Sequence, residues 1–349
     1  MSEMAQATPF TSVRNPVFYI AEIGGNHEGD FDYAVRLCDL AIESGADAVK
    51  FQLYRGDHIV SPFSSPDRNA HFKRFELSQA QHIELAERVR EAGRHYMASV
   101  WDVGMLAWID PYIRIHKVGS GDLTNYFMLE TLAKTGKPII LSTGLSSLDE
   151  VRNAVSFIGS TDAAYLDDRK LALLQCTSAY PTPDNAANLR VITTLQSAFD
   201  VPVGYSDHTI GPDAAELAYS LGARLIEKHF TDTREGKAFR DHKVSLTCDE
   251  VRVLMDRLRR AEVLLGSPEK TLTEAERAVE HEVSFRRSLH AARAIEAGEA
   301  LTPDNIEVLR PVAGIPANRY FEALGRKTTR AIEAFAPIGE DDLEQENQA

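Results

Sequence analysis

Short apolar runs alternate with amphipathic segments along most of the chain. The apolar runs Val17–Ile23 and Ala48–Leu53 predict strands that are buried on both faces. Between them, Tyr33–Glu43 carries apolar residues at helical spacing, and Gly45 follows as a stop signal. This strand–helix–strand pattern recurs until the long amphipathic segment Leu246–Leu265.

Eight alternations over roughly 250 residues predict a (β/α)8 barrel. The predicted strands are Val17–Ile23, Ala48–Leu53, His95–Val100, Ile113–Val118, Ile139–Ser142, Lys170–Cys176, Val201–Val203 and Arg224–His229. An open, doubly wound sheet is the structural alternative, but no Gly-x-Gly-x-x-Gly turn follows the first strand.

The pattern changes after Gly266, where a charged connector leads into short apolar runs separated by turns. We predict a catalytic barrel over residues 15–266, a linker over 267–283 and a small, mostly β domain over 284–349.

Composition narrows the class of protein. The chain has 349 residues, and 38 Lys and Arg against 52 Asp and Glu give a net charge of −14. This acidity argues against a nucleic-acid or membrane-surface partner, both of which require a basic face. No basic, apolar leader opens the chain, and the three widely spaced cysteines predict reduced thiols in a cytoplasmic protein.

Polar residues end nearly every predicted strand, where a barrel of this kind places its active site. Lys50 and Lys117 each end a strand, and small hydroxyl residues such as Ser120 and Ser142 lie nearby. A single lysine at such a position commonly reaches water or a carboxylate. Two of them facing one mouth, if unpaired, lose solvation and repel each other, which an anionic ligand would offset. The pattern therefore favours a phosphorylated substrate.

Two histidines follow the last two strands. One histidine at a strand end is usually a packed or capping group, but His208 and His229 lie on adjacent strands with Glu22 on the next one around the barrel. Two imidazoles and a carboxylate suit Mn, Fe, Co or Zn better than Mg. Asp241 and His242 in the following loop are either further ligands or ordinary loop residues.

At this point the chain resembles the sialic acid synthases, or more broadly the nonulosonic acid synthases. The resemblance is carried by residues 21–27 (Ala-Glu-Ile-Gly-Gly-Asn-His), 45–52, 117–122, 137–144, 204–209 (Gly-Tyr-Ser-Asp-His-Thr) and 227–230. The C-terminal part, including Leu309-Arg310-Pro311, resembles the antifreeze-protein-like (SAF) domain of that family. Almost the whole chain is covered.

The resemblance implies an enzyme, a transferase that forms a C–C bond between phosphoenolpyruvate and an N-acylated hexosamine such as N-acetylmannosamine. The products are a nine-carbon keto acid and phosphate. It also implies a domain-exchanged homodimer and a divalent metal, most often Mn²⁺, with Mg²⁺ and Co²⁺ as alternatives.

The resemblance further assigns roles to individual residues. Phosphoenolpyruvate would be held by Lys50, Ser99, Lys117, Ser120, Ser142 and Ser206. The metal would be bound by His208 and His229, and Glu22 would act near it on the aldehyde or the attacking water. The sugar would contact Ser178, Tyr180, Asp241 and, from a partner subunit, Arg310.

The sequence departs from many bacterial members at Asp122, Gln175 and Ser178. The run Gln175–Pro181 is closer to the animal enzymes, which use a 6-phosphorylated sugar, so the sugar stays open. Two other functions also stay open: a Schiff-base pyruvate aldolase with Lys50 or Lys117 as the nucleophile, and a non-catalytic sugar-binding or assembly module.

Overall fold

Eight parallel strands form a closed barrel in the computed structural model, which describes residues 9–345. The strands are β1 (Phe18–Gly24), β2 (Ala48–Leu53), β3 (His95–Val100), β4 (His116–Val118), β5 (Ile139–Ser142), β6 (Leu171–Cys176), β7 (Val203–Asp207) and β8 (Leu225–His229). β8 pairs with β1 and closes the barrel. The predicted (β/α)8 barrel is confirmed, and the open doubly wound sheet is wrong.

Helices follow the strands and cover the outside of the barrel. The longer ones are Phe31–Glu43, Pro66–Arg74, Gln79–Glu91, Tyr126–Ala133, Leu148–Thr161, Val191–Ala198, Asp213–Ser220 and Cys248–Leu265. Single-turn helices are Gly56–Ile59, Leu106–Ile109 and Ala164–Asp167. Several begin with a capping box, as at Ser147 with Glu150, where the side chains satisfy backbone N–H groups at the helix start.

Two strand predictions were displaced. β7 spans Val203–Asp207 and not Val201–Val203, and β4 is only His116–Val118. The sequence places residues 204–207 in the loop after strand seven. In the structure these residues continue the strand, because β7 pairs with β6 on one side and with β8 on the other. Ser206 therefore lies in a strand, and His208 follows directly after its end.

The side chains that point inward from alternate positions of the strands fill the barrel in layers. Apolar side chains close the inside near the strand starts, among them Phe18, Ile20, Ala48, Met97, Ile115, Ile140, Leu174 and Leu225. Two residues further along, the same inward face carries polar side chains: Glu22, Lys50, Ser99, Lys117, Ser142 and Glu227. The packed layer is thus the floor of a polar mouth at the carboxyl ends of the strands.

The chain divides into two compact units, residues 1–266 and 267–349. The second unit has its own small core, including Leu289, Ile295 and Ile338, and a two-stranded antiparallel sheet of β9 (Ser288–Ala291) and β10 (Ile306–Leu309). Its single-turn helices are Glu274–Ala278, His281–Ser284 and Tyr320–Ala323. None of the helices within residues 9–345 is long and apolar enough to cross a bilayer.

Candidate active site

A cavity of about 480 Å³ occupies the mouth of the barrel, and we call it the mouth cavity. It gathers most of the site residues that the sequence predicted. Its lining includes Glu22, Lys50, Ser99, Lys117, Ser120, Ser142, Ser178, Tyr180, Ser206, His208 and His229. Asp241 lies in an adjoining cavity, and Arg310 belongs to the second unit.

Strand register sets the order of these groups around the mouth. His229, Glu22 and Lys50 are direct neighbours across β8, β1 and β2. Ser99 is paired with Lys117 across β3 and β4 in the same way. Residues far apart in the chain therefore form one contiguous ring.

The two lysines of the mouth are paired with carboxylates, which is one of the common outcomes for a lysine at a strand end. Lys50 Nζ lies 2.6 Å from Glu22 Oε2 and 3.8 Å from Glu227 Oε2, and Lys117 Nζ lies 3.5 Å from Glu227 Oε1. Lys117 also donates to Ser142 Oγ at 2.7 Å, and Ser206 Oγ donates to Glu227 at 3.0 Å. Two ammonium groups and two carboxylates thus form one buried network.

Burial and charge act in opposite directions on this network. Burial raises the pKa of Glu22 and outweighs the attraction of Lys50. Burial also works against the charge of Lys50, but Glu22 and Glu227 raise its pKa above the ordinary value. The pKa of Lys117 is lowered by burial, only partly offset by Glu227. Lys50 is therefore the firmly charged member of the pair, and Lys117 is the one closer to losing its proton.

Backbone and hydroxyl groups after β4 and β5 form a small polar cradle. The Gly144 N–H donates to Ser120 Oγ at 3.0 Å. A Cβ at position 144 would lie 2.7 Å from Ser178 Oγ and 2.8 Å from Ser120 Oγ, so any larger residue would have to displace these two hydroxyl groups. Hydroxyl and N–H groups at this spacing suit the oxygens of a phosphate or carboxylate.

The two histidines face each other with ring centroids 5.5 Å apart, and Tyr180 packs against both. His208 Nδ1 lies 2.9 Å from the Thr177 carbonyl oxygen, so Nδ1 carries a proton and donates it to this acceptor. In the neutral ring, Nε2 then has the free lone pair. His229 Nδ1 is buried without a hydrogen-bond partner in residues 9–345. Burial, followed by the charge of His208 and Lys50, holds the pKa of His229 well below its usual range, so this imidazole is neutral.

Burial opposes the charge of His208, but Cys176 and the Thr177 carbonyl raise its pKa overall. Both imidazoles fit a divalent ion as ligands once His208 is deprotonated, because each then presents a nitrogen lone pair in one polar cavity. The described part of the chain contains no group of three or more His, Cys, Asp or Glu residues placed to hold a metal. Glu22 Oε2 pairs with Lys50, so this carboxylate is shared with the lysine network. His242 bonds Thr231 Oγ1 at 2.7 Å and lies near Glu28, so it is an ordinary loop residue.

The adjoining cavity, of about 590 Å³, has an aromatic wall that the sequence did not reveal. Phe72, Phe75, Trp101 and Phe239 line it, and Arg68, Arg240 and Asp241 add charge. Asp241 is buried, which raises the pKa of its carboxyl group, and Arg240 Nε lies 3.3 Å away. Because Tyr180 and His229 line both cavities, a ligand can extend from one into the other.

Sequence reasoning assigned no role to Glu227, which joins both lysines. Strand alternation could have found it, because Glu227 and His229 have the same parity and both face the mouth. Cys176 was also missed; it lines the mouth with its Sγ 3.8 Å from His208 Nδ1. Three positions depart from many bacterial synthases. Of these, Asp122 and Ser178 line the mouth cavity, whereas Gln175 is not among its lining residues and donates to the Ala187 carbonyl.

Comparisons with known proteins agree with this architecture. The NeuB family model matches residues 37–270, and a SAF domain model matches residues 286–344. The chain is 34% identical to the N,N'-diacetyllegionaminic acid synthase of Campylobacter jejuni, with 89% of this chain and 95% of that protein covered. It is also 34% identical to the N-acetylneuraminate-9-phosphate synthase of Mus musculus, with coverage of 96% and 95%.

Among solved structures, the chain is similar to the N-acetylneuraminic acid (sialic acid) synthetase of Leptospira borgpetersenii. The TM-score is 0.71 at 32% identity, and the match covers 77% of this chain and 92% of that one. Since the family model spans well over half of the sequence and the relatives match along nearly their full length, this chain belongs to the NeuB family.

Proposed function

We propose that the chain condenses phosphoenolpyruvate with an N-acylated hexosamine, giving a nine-carbon keto acid and inorganic phosphate. The observation that carries the proposal is the mouth cavity, which combines the lysine–carboxylate network, the hydroxyl cradle and two facing imidazoles. Relatives that make sialic acid phosphate and legionaminic acid derivatives support the substrate class.

In this reaction C3 of phosphoenolpyruvate bonds to the aldehyde carbon of the sugar, and the aldehyde oxygen takes up a proton. Water then adds at C2, and the C–O bond to phosphate breaks. Lys50 and Lys117, with Ser120, Ser142 and Ser206, hold the phosphate and carboxylate oxygens in place. Glu22, whose pKa is raised by burial, is suited to exchange a proton with the adding water.

His208 and His229 would hold a divalent ion, with Mn²⁺ as the first choice and Mg²⁺ or Co²⁺ as alternatives. Such an ion, when bound, supplies Lewis-acid polarisation of an oxygen that gains negative charge. The neutral state of His229 and its unpartnered Nδ1 support this role. Tyr180 and Asp241 would contact the sugar, whose acyl group suits the aromatic wall.

The direct test is phosphate release from phosphoenolpyruvate with a panel of N-acyl hexosamines and their 6-phosphates. We expect release with at least one sugar, loss of release in EDTA, and its return with Mn²⁺. His229→Ala should lose the bound ion as measured by metal analysis, because one of its two ligands is gone. Full activity in chelator would contradict the metal role.

A Schiff-base aldolase is retained as the second candidate because burial lowers the pKa of Lys117, as a nucleophilic lysine requires. It differs in a measurable way, since borohydride would trap pyruvate on that lysine. A trapped adduct together with metal-independent turnover would replace the synthase proposal.

Gly144→Ala tests the hydroxyl cradle. The added methyl group would collide with Ser120 and Ser178, so we expect kcat/KM for phosphoenolpyruvate to fall on the order of 100-fold. The backbone at Gly144 is not left-handed, so the melting temperature should change little. Gly121→Ala is the matched control, because a Cβ there meets nothing within 4 Å. Equal losses in both variants would contradict the cradle.

We further propose that the enzyme is a cytoplasmic homodimer in which Arg310 of each subunit reaches the sugar in the other. The Arg310 guanidinium stacks on Phe285 and has no carboxylate partner in the described chain. Mixing an Arg310→Ala variant with a barrel-inactivated variant should then restore about a quarter of normal activity through hybrid dimers. No recovery in verified hybrid dimers would place Arg310 in the site of its own subunit or outside catalysis.

A further inference from the structure

A cavity of about 500 Å³ lies at the amino-terminal ends of β3 and β4, at the opposite end of the barrel from the mouth. Its walls include Arg90 from the end of a helix, Arg94 and His95 from the start of β3, and Arg114 from the segment before β4. We call it the arginine cavity. The reaction proposed above makes no use of it.

The arginine cavity is well separated from the chemistry. Four residues along β3 separate His95, in this cavity, from Ser99 at the mouth, a rise of about 13 Å. The packed apolar layer inside the barrel, including Met97, lies between the two ends. A molecule in one cavity therefore does not touch a molecule in the other.

The arginines of this cavity are not neutralised by ion pairs in the described chain. Arg90, Arg94 and Arg114 line the cavity, and Arg14 Nη2 lies 3.9 Å from a Cβ built on Gly93 at its edge. Within residues 9–345, none of these four guanidinium groups forms an ion pair. By contrast, Arg88, which lies two residues before Arg90 on the same helix, pairs with Asp39.

Buried polar atoms in the wall also lack hydrogen bonds. Arg94 Nε and Nη1 and His95 Nδ1 are buried and have no partner in the described chain. Buried polar atoms are nearly always hydrogen-bonded in folded proteins, so three of them on the adjacent residues Arg94 and His95 are suited to bond a ligand in this cavity. The nearby Asp47 carboxylate does not bond these atoms, because it already accepts from Ser12, Asn15 and the Tyr19 N–H.

The electrostatics of the wall also favour an anionic ligand. Burial, followed by the charge of Arg14, lowers the pKa of Arg94, and Asp47 only partly opposes this. A bound anion would offset the repulsion between Arg14 and Arg94. Guanidinium groups with free N–H donors match the oxygens of phosphate and carboxylate.

We propose that the arginine cavity binds a small metabolite that carries a phosphate or carboxylate group. The anionic group bonds Arg94 and Arg114. Glu87 and Glu91 also line the cavity and have no ion-pair partner in residues 9–345, so they accept from hydroxyl groups of the same ligand. The cavity is thus a second ligand site, independent of the proposed condensation.

Equilibrium dialysis of labelled inorganic phosphate against the full chain tests this proposal. The double variant Arg94→Gln/Arg114→Gln should lose one class of phosphate site, with affinity at least tenfold weaker. The control variant Arg260→Gln/Arg277→Gln removes the same two charges from exposed arginines that have no ion pair in the described chain, and it should bind as the unmodified chain does. Malonate is then added as a competitor. Displacement of phosphate shows that the cavity also accepts carboxylates, and no displacement shows that it is selective for phosphate.

Two measurements keep the outcome clear. Circular dichroism and phosphoenolpyruvate binding at the mouth should be unchanged in the double variant, and Arg114→Gln alone replaces it if it does not fold. Identical phosphate binding by the unmodified chain and the folded variants would overturn the proposal. So would displacement of all bound phosphate by a single phosphoenolpyruvate per chain, because every phosphate would then lie at the mouth.

Discussion

Lys117→Met should lower kcat/KM for phosphoenolpyruvate on the order of 1,000-fold, equivalent to about 4 kcal/mol of transition-state stabilisation. The ammonium group of Lys117 is buried at the mouth, donates to Ser142 and faces Glu227. Methionine keeps the apolar stem but removes the charge that would bind the phosphate throughout the reaction. Steady-state kinetics with varied phosphoenolpyruvate measures the effect.

The same substitution should leave the fold largely intact. Lys50 remains 3.8 Å from Glu227, so that carboxylate keeps a cationic neighbour when Lys117 is removed. The burial of Lys117 is itself unfavourable, as its lowered pKa indicates. Urea unfolding is therefore expected to shift little. A variant with near-normal kcat/KM would remove Lys117 from the proposed phosphate site.

Lys228→Met should destabilise the chain by about 3–5 kcal/mol, the cost of leaving a buried charge without its partner. Lys228 and Asp207 are both fully buried, and Lys228 Nζ lies 2.7 Å from Asp207 Oδ2 and 2.7 Å from the Thr209 carbonyl oxygen. Its removal leaves the Asp207 carboxylate with neutral donors, among them the Thr209 N–H and hydroxyl, and without a cation. Urea unfolding of the variant measures this change in stability.

A second variant separates the charge effect from simple loss of packing. Asp207→Asn/Lys228→Met removes both charges and keeps an amide oxygen for Thr209, so most of the lost stability should return. The measured difference between single and double variants isolates the ion pair. If the double variant is as unstable as the single one, the unpaired carboxylate is not the cause.

Lys117 and Lys228 differ in role because successive side chains of a strand point to opposite faces. Lys117 has inward parity and faces the mouth, whereas Lys228 lies between Glu227 and His229 and therefore faces the opposite side of β8. Both are buried lysines in short strands, so composition and burial alone do not distinguish them. Only the direction of the side chain decides whether the charge serves the site or the fold.

The sequence predicted the site residues of the mouth well because the topology is regular. Each strand of a (β/α)8 barrel delivers its carboxyl end to the same face, so polar residues after apolar runs identify the mouth without coordinates. Glu22, Lys50, Lys117, His208 and His229 were found in this way. The second unit lacks such a rule, so Arg310 was assigned by resemblance alone.

The charge state of the mouth was not predictable by the same route. The sequence left the pairing of Lys50 and Lys117 open, because Glu22 and Glu227 are separated by most of the chain. Closure of β8 against β1 brings both carboxylates to Lys50. The cavity is therefore a balanced network whose pKa values depend on distances of a few ångströms, and no sequence spacing encodes those distances.

The amino-acid sequence by itself determined the barrel, the small second domain and the set of polar residues at the strand ends. These features follow from the spacing of hydrophobic residues within each element and from the order of the elements, both of which are visible in the sequence. Tertiary structure alone decided the pairing of Glu227 with both lysines, the position of His242 away from the imidazole pair, and the gathering of unpaired arginines at the far end. Each of these depends on which side chains meet after the barrel closes, and electrostatic interactions depend on that final separation.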